Sequence, residues 1–125
     1  MSKSARSILL FSIYMFGLGS IMVLSPNFLL KLFFVPETNE VWIRVAGVLV
    51  LILGLYYFLA SRNDIKLFFK WTVYARSSVV IFFIGFVIFG LAPPVLILFG
   101  IVDAAAAYWT NTCLKAEQNK QFINN

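Results

Sequence analysis

Four apolar runs, at about residues 7–24, 41–60, 71–90 and 93–112, dominate this 125-residue chain. Each is close to the length that a bilayer core requires. A soluble domain must cover its core with polar side chains, and here 62% of residues are hydrophobic while only 12% are charged. The mean hydropathy of +0.92 therefore implies an exterior solvated by lipid. No alternating apolar and polar pattern marks strands, and four strands could not close a barrel, so the runs should be helices. The expected fold is all-α: an integral membrane four-helix bundle forming a single domain over residues 1–125.

The breaks between runs have local causes. Ser25-Pro26 ends the first run, because proline lacks an N–H and its ring clashes with the preceding turn. Ser25 can then cap a new helix with Pro26 at its first position. That segment, NFLLKLFFV, is too short to span, and it suits a helix lying at the membrane interface. Residues 36–40 form a polar loop and 61–64 a turn. Gly90-Leu91-Ala92-Pro93-Pro94 makes a tight link, so the last two spans should form an antiparallel hairpin. The first run exceeds the apolar region of a signal peptide and no small-residue cleavage site follows, so it reads as a retained span.

Ten Lys and Arg against five acids give a net charge of +5. The basic residues lie between the apolar runs rather than in one polar stripe, which excludes the footprint of a nucleic-acid binder. They read as topology determinants. Lys3, Arg6, Arg62, Lys66, Lys70, Lys115 and Lys120 fall on one side, while Lys31 stands on the other beside Glu37 and Glu40. Both termini should face the cytoplasm, in the cell membrane or an equivalent inner membrane. One-way insertion argues against small four-span exporters and fluoride channels, which often insert both ways. The first span also lacks the embedded glutamate that the exporters use. Cys113 is the one cysteine and there is no histidine. A disulfide framework, a Cys/His zinc site and a catalytic imidazole are excluded within one chain. No metal and no cofactor are expected, and the chain is expected not to be an enzyme.

Asp103 is the anomaly in this pattern. It lies roughly ten residues from either end of the fourth span, hence about 13–15 Å deep. An unpaired charge there costs several kcal/mol on insertion scales, so a partner is expected. Arg76, about 8 Å deep on the adjoining span of the hairpin, is in reach; Arg44, near the opposite face, is the weaker candidate. Asp103, Arg76 and Arg44 are therefore the candidate charge set, for a ligand's polar head or as a structural clasp. Leu96, Gly100, Asp103, Ala107 and Thr110 share one face of the fourth span. Arg44, Gly47, Leu51, Gly54 and Phe58 share one face of the second. The small residues Gly47, Gly54, Gly100 and Ala107 mark close helix packing. Arg44 can also snorkel to headgroups. Tyr56, Tyr57, Trp71, Tyr74, Tyr108 and Trp109 read as an aromatic belt at the cytoplasmic boundary, with Trp42 at the other. Cys113 stands where cytosolic thiols are palmitoylated, although a lone cysteine there is more often inert.

Several short motifs are familiar together. They are Arg44 and Gly47 in Arg-x-x-Gly, the Gly-Leu-Tyr-Tyr run from Gly54 to Tyr57, the Trp-Thr-Val-Tyr-Ala-Arg run from Trp71 to Arg76, and Gly100 with Asp103 in the last span. In this order the chain resembles the broad group of small four-span proteins that includes DoxX-like and Erg28-like membrane proteins. The resemblance implies a four-helix membrane bundle acting as an accessory or scaffolding subunit. The functional expectation is a non-enzymatic accessory whose partners are the lipid bilayer and a larger membrane protein. The alternative is a binder or carrier of a lipophilic ligand using Asp103 and Arg76. A transporter or channel, working as an oligomer, ranks behind both.

Overall fold

Helix starts and stops in this chain are set by short-range chemistry. The computed structural model describes residues 1–124, with five α-helices and no strand among them: α1 (Lys3–Leu24), α2 (Pro26–Leu32), α3 (Trp42–Arg62), α4 (Lys66–Ile88) and α5 (Val95–Asn124). α1, α3, α4 and α5 are long and apolar enough to cross a membrane. Ser2 begins α1 by accepting a hydrogen bond from the Ala5 N–H at 3.1 Å, which satisfies one of the four donors a helix start leaves open. Ser25 occupies the N-cap of α2 with Pro26 following, as the sequence suggests, but its side chain makes no capping bond. The Ser25 carbonyl accepts from Phe28 and Leu29 instead.

α2, α3 and α4 end alike. Val35 N–H reaches back to Leu30 O, Ile65 to Ala60 O and Leu91 to Phe86 O, at 2.8–3.1 Å. The residues before them, Phe34, Asp64 and Gly90, donate to Lys31, Ser61 and Val87. These are Schellman turns, which need a left-handed residue. Gly90 adopts φ +73° without a Cβ penalty, whereas Phe34 and Asp64 reach +59° and +52° against one. Past α2, Thr38 N–H donates to Asn27 Oδ1 at 2.9 Å and Glu40 N–H to Thr38 Oγ1 at 3.1 Å, which organises the polar loop.

Two helices exceed the apolar runs in the sequence. α4 starts at Lys66 rather than 71 because Lys66 and Lys70 lower the hydropathy without breaking the helix, and Phe69 between them is fully buried. α5 continues past Thr112 because the tail is rich in Leu, Lys, Ala, Glu and Gln, all good helix formers. Apolarity ends there; helicity does not.

The chain divides into two compact units. The first contains Met1–Ile8 and the chain from Ala60 onward, and in it α4 and α5 pack along one another as a hairpin. Gly100 is at the closest approach: a Cβ there would stand 3.0 Å from Val80 Cα. The second unit is Leu9–Leu59. Here Gly19 and Gly47 face one another, a Cβ on either lying 3.0 Å from the other's carbonyl oxygen. Gly54 receives the Phe16 ring, with 3.2 Å left for a Cβ. Tyr57 is buried at 6% exposure and packs on Phe11 with ring centroids 5.7 Å apart. It is therefore part of an interior, while Trp42, Tyr56, Trp71, Tyr74, Tyr108 and Trp109 are exposed.

Candidate functional site

The polar residues of the first unit form a column, and it begins at the start of α1. Glu117 of α5 accepts from the Ser4 N–H through Oε1 at 2.9 Å and from the Ser4 hydroxyl through Oε2 at 2.7 Å. Lys66 of α4 donates to the same Glu117 carboxylate and to Ser4 Oγ at 3.2 Å. Ser2 Oγ donates to Asp64 Oδ1 at 2.7 Å, and Asp64 lies 3.8 Å from the Lys66 ammonium. Two carboxylates thus sit at the N-terminus of α1, where open N–H groups and the helix dipole favour negative charge. Glu117 stands beyond the apolar part of α5. Burial pushes its carboxyl up, but the hydrogen bonds from Lys66 and Ser4 outweigh this and leave it below the usual carboxylate range.

One turn deeper the groups are neutral and fully buried. The Ser7 hydroxyl donates to Ser4 O at 2.7 Å and lies 2.8 Å from Thr110 Oγ1. A hydroxyl has one proton, so with that of Ser7 committed to Ser4, Thr110 is the donor to Ser7. Thr110 Oγ1 in turn accepts from Arg76 Nη2 at 3.0 Å. Arg76, only 3% exposed, also donates from Nη2 to Thr72 Oγ1 at 3.1 Å and from Nε to Thr72 O at 3.3 Å. The bonds run one way, from guanidinium to Thr110 to Ser7 to the Ser4 carbonyl, and they join α4, α5 and α1. Burying a cation requires partners for its donors, and the Thr72 and Thr110 oxygens take those of Nε and Nη2.

Asp103 is half-buried on α5, and the positive charge of Arg76 acts on it through space. The structure thus brings Arg76 and Asp103 into one electrostatic neighbourhood, with Thr72 and Thr110 taking the guanidinium hydrogen bonds described above. Gly100 and Ala107, one turn to either side of Asp103, are buried. Arg44 is in the other unit, where it donates to Val23 O in the last turn of α1. A cation there satisfies a terminal carbonyl and complements the negative end of the dipole. Gly47 and Gly54, on the same helix as Arg44, serve the close packing described above. Cys113 is buried with a free thiol.

Ser4, Ser7, Lys66, Thr72 and Glu117 are absent from the sequence-derived site. One signal was present: Asp103, Thr110 and Glu117 are each seven residues apart, which is two turns, so they line one stripe of α5. Thr72 stands one turn before Arg76 on α4. Among the described residues no three His, Cys, Asp or Glu side chains come together to hold a metal. A polar cavity of about 430 Å³ is lined by Met1, Ser2, Ala5, Ser61, Arg62 and Asp64. An apolar one of about 440 Å³ is lined by Ser20, Ile21, Leu24, Ser25 and Phe28. Neither cavity is lined by Arg76 or Asp103. Comparison with family models, with curated proteins and with solved structures finds no match to this chain.

Proposed function

We propose that the chain is a multi-pass integral membrane protein that acts as a non-enzymatic accessory or scaffold subunit for another membrane protein. α1, α3, α4 and α5 span the bilayer, α2 lies at the interface, and both termini are cytoplasmic. Support for this orientation comes from the seven Lys and Arg residues on one side against one on the other. The carrying observation for the role is the hydrogen-bond chain that runs from Arg76 Nη2 through Thr110 and Ser7 to the Ser4 carbonyl. The deepest cation of the molecule is engaged by its own Thr72 and Thr110, so this polar interior holds helices in register. A ligand site would leave such donors turned toward a cavity. An accessory role is also what the DoxX-like resemblance implies.

The test is native electrophoresis of the tagged full chain, extracted from its own membranes in a mild detergent. A discrete assembly heavier than the 14.2 kDa chain with its detergent belt, and containing a second polypeptide, is expected. A solitary monomer under every mild condition would contradict the proposal.

A further inference from the structure

The polar cavity of about 430 Å³ in the first unit has charges of both signs in its walls, and its size is within the range of small-molecule sites. Arg62 ends α3, and Asp64 stands two residues on, in the turn before α4. Both line the cavity, yet they form no ion pair with each other. Arg62 is exposed, and among the described residues its guanidinium has no hydrogen-bond or ion-pair partner. Asp64 is held in place. Its φ of +52° belongs to the Schellman turn, and Ser2 Oγ donates to its Oδ1 at 2.7 Å. Lys66 stands 3.8 Å from that oxygen but donates to Glu117, so one ammonium serves two carboxylates. Among the described residues no hydrogen bond reaches Asp64 Oδ2. The cavity therefore offers a cation to an anionic group and a carboxylate to a cationic one. A simple anion would be set against Asp64, and a simple cation against Arg62. A zwitterion answers to both. The place then selects among zwitterions: α3 and α4 are long and apolar enough to cross a membrane, and Ile65 and Leu67, beside Asp64, are exposed large apolar residues. A turn of this kind suits the boundary between headgroups and acyl chains.

We propose that this cavity binds the headgroup of a phosphatidylethanolamine lipid, with Arg62 on the phosphate and Asp64 on the ammonium. This rests on the membrane-spanning part of the reading above and names the lipid class that this end of the first unit recognises. Arginine matches phosphate through its fork of N–H donors, and a primary ammonium brings three N–H donors to Asp64. A choline group brings none. A glycerol headgroup has no positive charge, and a serine headgroup adds a carboxylate beside Asp64.

The test is native mass spectrometry of the full chain in mild detergent, offered phosphatidylethanolamine and phosphatidylcholine with identical acyl chains in equal amounts. The wild-type chain should retain phosphatidylethanolamine about two- to fivefold over phosphatidylcholine, the range set by one exposed ion pair. Successive N-methylation of the headgroup should lower retention stepwise, as donors are lost. Asp64→Asn keeps the turn, since asparagine also accepts a left-handed φ, and should abolish the preference while phosphatidylcholine is still retained. Arg62→Gln should lower retention of both lipids, whereas Lys120→Gln, which removes the same charge elsewhere, should change neither. Equal retention of the two lipids by the wild-type chain, or an unchanged preference in Asp64→Asn, overturns the proposal. Preference for phosphatidylglycerol over phosphatidylethanolamine would mean general attraction to anionic lipid and overturn it too. So would full displacement of the lipid by free phosphoethanolamine, which assigns the cavity to a soluble zwitterion. If retention shows no preference while the chain resists alkaline extraction from its own membranes, this proposal fails and the membrane-spanning reading stands. Release of the chain by alkali would remove both.

Discussion

Glycine at position 47 and glycine at position 17 are the same residue in the same kind of helix, yet the structure gives them opposite sensitivities. A Cβ at Gly47 would lie 2.8 Å from Met22 Cβ and 3.0 Å from the Gly19 carbonyl oxygen, so backbone must move. A Cβ at Gly17 would meet nothing within 4 Å. Gly47→Ala should lower stability by about 1–3 kcal/mol, the usual result of overpacking a tight contact. Gly17→Ala should be neutral or raise stability by about 0.5–1 kcal/mol, because it removes a glycine from a helix interior. Thermal unfolding of the two variants in one detergent, read by helicity, checks the contrast. Of these residue-scale facts, Gly47 and Gly54 as close-packing positions on one helix face are readable from their spacing. That Gly19 is the counterpart of Gly47 is not readable, because it depends on how α1 and α3 pack within the second unit. Tyr57 shows the same limit: beside Tyr56 its composition suits a belt, but its neighbour Phe11 makes it interior.

The helices as elements were largely legible because a bilayer-length apolar run and a proline or glycine break are local signals. The extensions of α4 to Lys66 and α5 through the polar tail were not, since hydropathy and helix propensity part company there. This hid the junction at the start of α1, where Ser4, Lys66 and Glu117 meet across 51 to 113 residues of chain. That junction has a pH signature. The Glu117 carboxyl is held below its unfolded value, so its contribution is present in full above the unfolded pKa and is lost as pH falls through the lowered folded one. The melting temperature of the wild-type chain should therefore drop on acidification below the usual carboxylate range. Glu117→Gln should melt lower than wild type at neutral pH and lose part of that dependence. Melting curves of both proteins across the acid range give the comparison, and parallel curves would mean that Glu117 is not the group responsible.

For the whole molecule, charge placement and polar burial make separate claims. Placement says that the loop at 36–40 faces the side opposite to the tail containing Lys115 and Lys120. Single cysteines introduced at Thr38 and Asn119 in a Cys113→Ser background should label from opposite sides of sealed right-side-out vesicles, Thr38→Cys from outside. The burial claim is the more central: Arg76 is held in the interior by the protein's own hydroxyls, and the fold depends on them. Its most direct measurement is a double-mutant cycle on unfolding free energy with Thr110→Val and Ser7→Ala. Thr110→Val keeps the shape and removes the oxygen that accepts from Arg76 and lies against Ser7. It should lose about 1–2 kcal/mol, and the double variant should lose clearly less than the sum of the singles, because both break one chain of bonds. A Thr110→Val protein as stable as wild type, or strictly additive losses, would contradict the claim that this column holds the helices together.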